Sequence, residues 1–136
     1  MPHPNVAANT TSRLAQAGAL AYIIWALLHV NAAWSIYQLG QSMAEGMPRG
    51  RVLQDAWNLF WLSIIALIVA VVLNWRNDVR GWWINLLVIS VVDLGFIFYM
   101  LFPGYVSMWP GLSGPLFWVL GLALSSLGLY RPMRPA

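Results

Sequence analysis

Two ionisable side chains, Asp93 and His29, lie deep inside apolar segments of this sequence. Asp93 is near the middle of the run from Gly81 to Phe102, which is long enough to cross a bilayer. An ionisable group at that depth costs at least ~2.5–3.5 kcal/mol to insert, so it is a candidate for a functional site. If the carboxyl and the imidazole meet, they form a proton-exchanging pair suited to acid–base catalysis or to proton relay.

Each of the two residues also has a purely structural interpretation. Asp93 would then accept a hydrogen bond from a Ser, Asn or Trp on a neighbouring helix and serve only packing, and His29 would be a satisfied core residue. By helical rise, Asp93 lies ~16 Å and His29 ~17–22 Å from the same side of the membrane. The sequence therefore predicts similar depths but does not establish contact.

Residues at helical spacing from this pair are mainly aromatic, with a few polar groups. Such a lining is the usual make-up of a small-molecule pocket. The residues predicted to line the pocket or to orient its ligand are Tyr22, Trp25, Asn31, Asn58, Ser90, Phe96, Tyr99 and Trp118.

The donor set for metals and cofactors is poor. The sequence contains no cysteine, which excludes disulfides, thiolate chemistry and Cys-ligated metal centres. His29 is the one histidine at membrane depth, whereas heme bound between helices usually takes two. We therefore expect no metal and no cofactor, with a five-coordinate heme, or one shared across a dimer, as the open alternative.

The composition is that of a membrane protein. Of the 136 residues, 60% are hydrophobic and 8% are charged, against about 25% charged in soluble domains. Four apolar runs, at about 14–39, 56–74, 82–102 and 112–130, predict four spans in a single domain. The predicted fold is therefore all-α, an integral membrane four-helix bundle with up-down-up-down order.

The segments between the spans complete the predicted architecture. Residues 40–55 are polar and predict a loop, with Asp55 as the N-terminal cap or helix-dipole partner of the second helix. The short link at 76–80 makes spans two and three antiparallel neighbours. Gly114, Gly121 and Gly128 form a seven-residue stripe that favours close packing inside the bundle over a dimer face.

The basic residues predict the orientation in the membrane. All seven are Arg, and five flank one side of the predicted spans while two flank the other. The first group is Arg13, Arg76, Arg80, Arg131 and Arg134, and the second is Arg49 and Arg51. By the positive-inside rule both termini are cytoplasmic, and we expect an integral protein of a bacterial inner membrane. The basic charge thus serves topology and does not indicate nucleic-acid binding.

Three functions fit these features, and the sequence leaves open whether the protein is an enzyme. The first is a protein that binds a hydrophobic small molecule or lipid and converts it by isomerisation, cyclisation or ring opening, using Asp93 and His29. The second is an accessory or scaffold subunit that contacts other membrane subunits. The third is a proton-coupled transporter acting as a homodimer. The size and four spans are similar to those of small multidrug transporters, but the acid that those proteins carry in their first helix is absent, so no family is assigned.

Overall fold

The chain folds into helices that pack around the first of them. The computed structural model describes residues 13–130, and no strand occurs among them. The helices are α1 (Arg13–Ser42), α2 (Met47–Val72), α3 (Val79–Phe96), α4 (Met108–Gly111) and α5 (Ser113–Tyr130). A 3₁₀ turn, Asn74–Arg76, follows α2, and a π-helical turn, Ile97–Leu101, continues α3. In this part of the chain four helices are long and apolar enough to cross a membrane. Arg131 and Arg134, which the orientation prediction uses, lie outside the described residues.

The connection between α1 and α2 is shorter than the sequence predicted. Helix α2 begins at Met47, so most of the expected 40–55 loop is helical. Gly46, with φ of 148°, turns the chain in a region that favours glycine. Pro48 follows in the first turn, where the missing N–H breaks no helical hydrogen bond. Asp55 is exposed and lies eight residues after the first residue of α2, so the prediction that it lies at the start of the helix was wrong. The residues between Pro48 and Asp55 continue the helix.

The contacts between α1 and α5 recur every seven residues on both helices. A Cβ placed on any glycine of the α5 stripe would lie 2.8–3.0 Å from α1. The facing pairs are Gly114 with His29, Gly121 with Tyr22 and Gly128 with Ala15. The two helices are therefore antiparallel and in close contact, and the prediction that the stripe packs inside the bundle is confirmed.

Helix α3 presents a narrow buried face to the other helices. Its buried residues recur every four positions, at Gly81, Asn85, Ile89 and Asp93. Near its start the Asn85 Nδ2 donates to the Oδ1 of the buried Asn74, at 2.8 Å, which ties α3 to the end of α2. The same face carries Asp93 into the bundle two turns later.

Candidate functional site

Asp93 is fully buried and bonded to α1. Its side chain is 0% exposed, and its Oδ2 accepts a hydrogen bond from the Trp25 indole Nε1 at 2.7 Å. A buried carboxyl oxygen without such a donor would carry an uncompensated desolvation cost. This contact is the Trp N–H bond that the structural interpretation of Asp93 anticipated.

His29 is held by the same tryptophan. The imidazole Nδ1 lies 2.8 Å from the backbone carbonyl oxygen of Trp25, one helical turn earlier. The imidazole also stacks on the indole, with ring centroids 3.8 Å apart and planes inclined by 24°. Trp25 therefore orients both ionisable groups, the carboxyl through its indole N–H and the imidazole through its carbonyl and its ring.

The orientation of the His29 ring turns its second nitrogen toward Asp93. Because a carbonyl oxygen only accepts, the Nδ1 of His29 must donate to Trp25, which leaves the Nε2 of the neutral ring as an acceptor. That Nε2 lies 3.6 Å from the Asp93 Oδ1. This distance is longer than a hydrogen bond, so an acid and a base lie side by side without a direct bond between them.

The second carboxyl oxygen of Asp93, Oδ1, can take part in a further hydrogen bond. It has no hydrogen-bond partner among the described residues, since 3.6 Å exceeds hydrogen-bond length. The backbone of α5 closes over this gap at Gly114, where a Cβ would lie 2.8 Å from His29 Cε1 and 3.7 Å from Asp93 Oδ1. The His29 side chain is 11% exposed, whereas that of Asp93 is 0% exposed.

The helix that carries Asp93 loses its regular geometry about one turn after this residue, at Ile97. The Phe102 N–H donates to the Ile97 carbonyl five residues earlier, at 2.8 Å, in the π-helical turn. Such turns are frequent at functional sites. Nothing in the local sequence signals this turn, and the sequence analysis missed it.

The other residues predicted to line the pocket fall into two groups. Tyr22 is buried against Gly121, Phe96 is half-buried, and Trp118 Nε1 donates to Ser90 Oγ at 3.0 Å. Trp118 is one helical turn after Gly114 and Ser90 one turn before Asp93, so this bond lies next to the pair. Asn31, Asn58 and Tyr99 are exposed, and the structure does not bring them to Asp93.

The structure places a cavity elsewhere than the sequence suggested. A groove of about 340 Å³ lies between α1 and α2, and neither Asp93 nor His29 lines it. The sequence analysis also missed Gly114 as a contact of the pair. The seven-residue spacing of Gly114, Gly121 and Gly128 signals a close helix contact, but it does not say which residues of another helix face these glycines.

Fold and site together define an all-helical protein with four helices able to cross a membrane and a buried Asp–His–Trp cluster between them. Within residues 13–130, no group of three or more His, Asp or Glu side chains is placed to hold a metal ion. Comparisons of the chain with protein-family models, with curated proteins and with solved structures found no match.

Proposed function

We propose that this protein binds a hydrophobic small molecule or lipid within the membrane and converts it by acid–base chemistry. The observation that carries this proposal is the buried Asp93 Oδ1, which has no hydrogen-bond partner among the described residues and lies 3.6 Å from His29 Nε2. Isomerisation, cyclisation or ring opening fits, because each needs a positioned proton donor and acceptor and no redox partner.

The two groups have different roles in this proposal. The ligand meets the pair at His29 Nε2 and Asp93 Oδ1, because the Nδ1 of His29 is bonded to the Trp25 carbonyl oxygen. One of the two groups gives a proton to the ligand and the other takes one from it, so that the pair returns to its starting state. Trp25 is a positioning residue that keeps the Nδ1 of His29 protonated and its Nε2 directed at Asp93.

The test uses the lipids of the producing membrane as the substrate mixture. Purified full-length protein is incubated with a total lipid extract, and chromatography with mass spectrometry separates isomers of equal mass. The wild type is expected to change the ratio of at least one isomer pair, whereas Asp93→Asn and His29→Gln leave all ratios unchanged. Asp78→Asn, an acid outside the cluster, is the matched control and should act like the wild type. Identical profiles for the wild type and the two cluster variants contradict the proposal.

For the arrangement in the membrane we propose an up-down-up-down bundle in a bacterial inner membrane with cytoplasmic termini. Gly128 contacts Ala15 and accepts a hydrogen bond from Asn77, so the segments that carry Arg13, Arg76 and Arg80 lie together. Arg49 bonds to Gln41 at the other end of α1. Since the chain has no cysteine, Ala44→Cys and Asn77→Cys each introduce a unique label site. A membrane-impermeant maleimide should label whole cells only for Ala44→Cys, and the reverse pattern contradicts the orientation.

A second candidate function is an accessory subunit of a larger membrane complex. It is supported by exposed aromatic side chains at the end of α3 and in the following loop, with Tyr99 77%, Phe102 85%, Tyr105 76% and Trp109 72% exposed. Extraction in mild detergent should then recover partner subunits that are lost in Phe102→Ser. The third candidate, a proton-coupled transporter, predicts instead a pH-gradient-driven flux in proteoliposomes that Asp93→Asn abolishes.

A further inference from the structure

The groove between α1 and α2 has the shape of a channel for a hydrocarbon chain. Its floor consists of Ala33 and Ala56, which are only 3% and 4% exposed. Trp34, Tyr37, Trp57 and Phe60 form its walls. Ala33 and Ala56 carry only methyl groups, whereas the neighbouring positions carry aromatic rings. The two helices therefore leave a narrow apolar groove of about 340 Å³.

One end of this groove is charged. Beyond its last lining residues, the Arg49 Nη2 donates to the Gln41 Oε1 at 2.9 Å, across the gap between the two helices. Gln41 follows Tyr37 by one turn of α1, and Arg49 precedes Leu53 by one turn of α2. The only carboxylate near this guanidinium among the described residues is Glu45, whose Oε1 is 3.9 Å away on a side chain that is 96% exposed. The guanidinium is therefore available to a stronger anion.

The groove and its charged end together match the length of one leaflet of a bilayer. The lining residues of α1, from Val30 to Tyr37, span about 10 Å of helix, and Gln41 lies about 6 Å further along, which gives about 16 Å in all. Half of a ~30 Å hydrocarbon core is about the same length. A lipid of that leaflet with its headgroup at Arg49 therefore has the length to place part of an acyl chain in the groove.

We infer that this groove holds an acyl chain of an anionic membrane phospholipid whose phosphate is bound by Arg49. A guanidinium matches the geometry of a phosphate and binds it through paired N–H donors. The inference is independent of the proposed acid–base function, because His29 and Asp93 do not line the groove.

Two tryptophans in the walls report occupancy of the groove. The full-length protein is reconstituted in phosphatidylcholine vesicles that contain a minor fraction of phosphatidylglycerol, with bromine atoms on the acyl chains of one lipid or the other. Bromine quenches tryptophan fluorescence on contact. At equal bromine content, brominated phosphatidylglycerol is expected to quench the wild type more strongly. The excess should vanish in the double variant Trp34→Phe/Trp57→Phe, which removes the reporters.

Variants at two neighbouring arginines separate a bound headgroup from general surface charge. Arg49→Gln is expected to reduce the preference for phosphatidylglycerol about fivefold, the effect of one basic residue at an anionic surface. Arg49→Lys retains the charge and should retain most of the preference. Arg51→Gln is the matched control, because Arg51 bonds to Gln54 of its own helix at 3.0 Å. Circular dichroism confirms that each variant is folded.

Three results would overturn the inference. One is equal quenching by the two brominated lipids in the wild type. Another is a loss of preference in Arg51→Gln as large as in Arg49→Gln, which would indicate an unspecific charge effect. The third is an excess quenching by brominated phosphatidylglycerol that is unchanged in Trp34→Phe/Trp57→Phe, which would place the preferred lipid elsewhere on the protein.

Discussion

Helix α3 carries two aspartates in opposite circumstances, and their difference separates folding from function. Asp78 caps the start of the helix, where its Oδ1 accepts from the Arg80 backbone N–H at 2.9 Å. The Arg80 guanidinium also contacts it, with Nη2 2.7 Å from Oδ2. This side-chain hydrogen bond with Arg80 lowers the pKa of Asp78 to about 2. A charged carboxylate at a helix N-terminus beside a cation is fully explained by the stability of the helix.

Neither helix capping nor an ion pair with arginine accounts for Asp93. It lies in the interior of the helix, it is 0% exposed, and its partners are an indole N–H and an imidazole. Replacing a buried ionisable pair by apolar residues is often neutral or stabilising, so the fold alone does not call for an acid here. What distinguishes Asp93 from Asp78 is a buried carboxyl oxygen without a hydrogen-bond partner beside an imidazole, an arrangement suited to acid–base chemistry.

The largest expected effect is on turnover in variants of Asp93. Asp93→Asn preserves an oxygen that accepts from Trp25 but removes the exchangeable proton. We expect turnover to fall by about 10²–10⁴-fold, the usual contribution of a general acid or base, in the lipid-conversion assay described above. Asp93→Leu should be equally inactive. If Asp93→Asn retained full turnover while Asp93→Leu lost it, Asp93 would serve only the packing of Trp25.

The next effect concerns the contact of α5 with the pair. In Gly114→Ala the new Cβ lies 2.8 Å from His29 Cε1, so the imidazole or the helix must move. Overpacking of this kind costs about 1–3 kcal/mol, and thermal unfolding in detergent should show a lower midpoint together with reduced turnover. Gly95→Ala is the matched control on α3, since no atom lies within 4 Å of its Cβ position. Equal stability of the two variants would contradict the close contact at Gly114.

A smaller effect is the energetic coupling between the two ionisable groups. Residues in contact show interaction energies of about 0.5–3 kcal/mol in double-mutant cycles, whereas distant residues add. We expect such a coupling in unfolding free energy between Asp93→Asn and His29→Gln. No coupling is expected between Asp78→Asn and His29→Gln, because Asp78 lies fifteen residues, or about 22 Å of helix, from Asp93. Additive values for the first pair would mean that the two side chains do not interact.

The smallest effect is expected on the stability contributed by Asp78, and it depends on pH. The folded pKa of Asp78, about 2, lies below its ordinary value of 3.8. Its contribution to stability is therefore complete above 3.8 and is lost as the pH falls through about 2. Thermal unfolding of the wild type should approach that of Asp78→Asn across this interval, while the two differ slightly at neutral pH. A constant difference over the whole interval would argue against the Arg80 contact.

Several features of the fold were evident in the sequence. Four apolar runs predict four helices, because the backbone in a hydrocarbon environment must satisfy its hydrogen bonds within each segment. The glycine stripe predicts a close helix contact, since only small residues allow backbones to approach. The start of α2 at Met47 was missed, because the polar residues of 40–55 suggest a loop but do not prevent a helix.

The sequence by itself determined that Asp93 and His29 are unusual, because a charge is costly in an apolar segment wherever the segment packs. Only the tertiary structure decided that Trp25 bonds to both and that Gly114 closes over them. The same holds for the groove beside Ala33 and Ala56. A membrane-spanning helix is apolar on all sides, so hydropathy does not reveal which face is buried. The rotation and register of each helix follow from packing against its neighbours, and these two quantities decide which side chains meet.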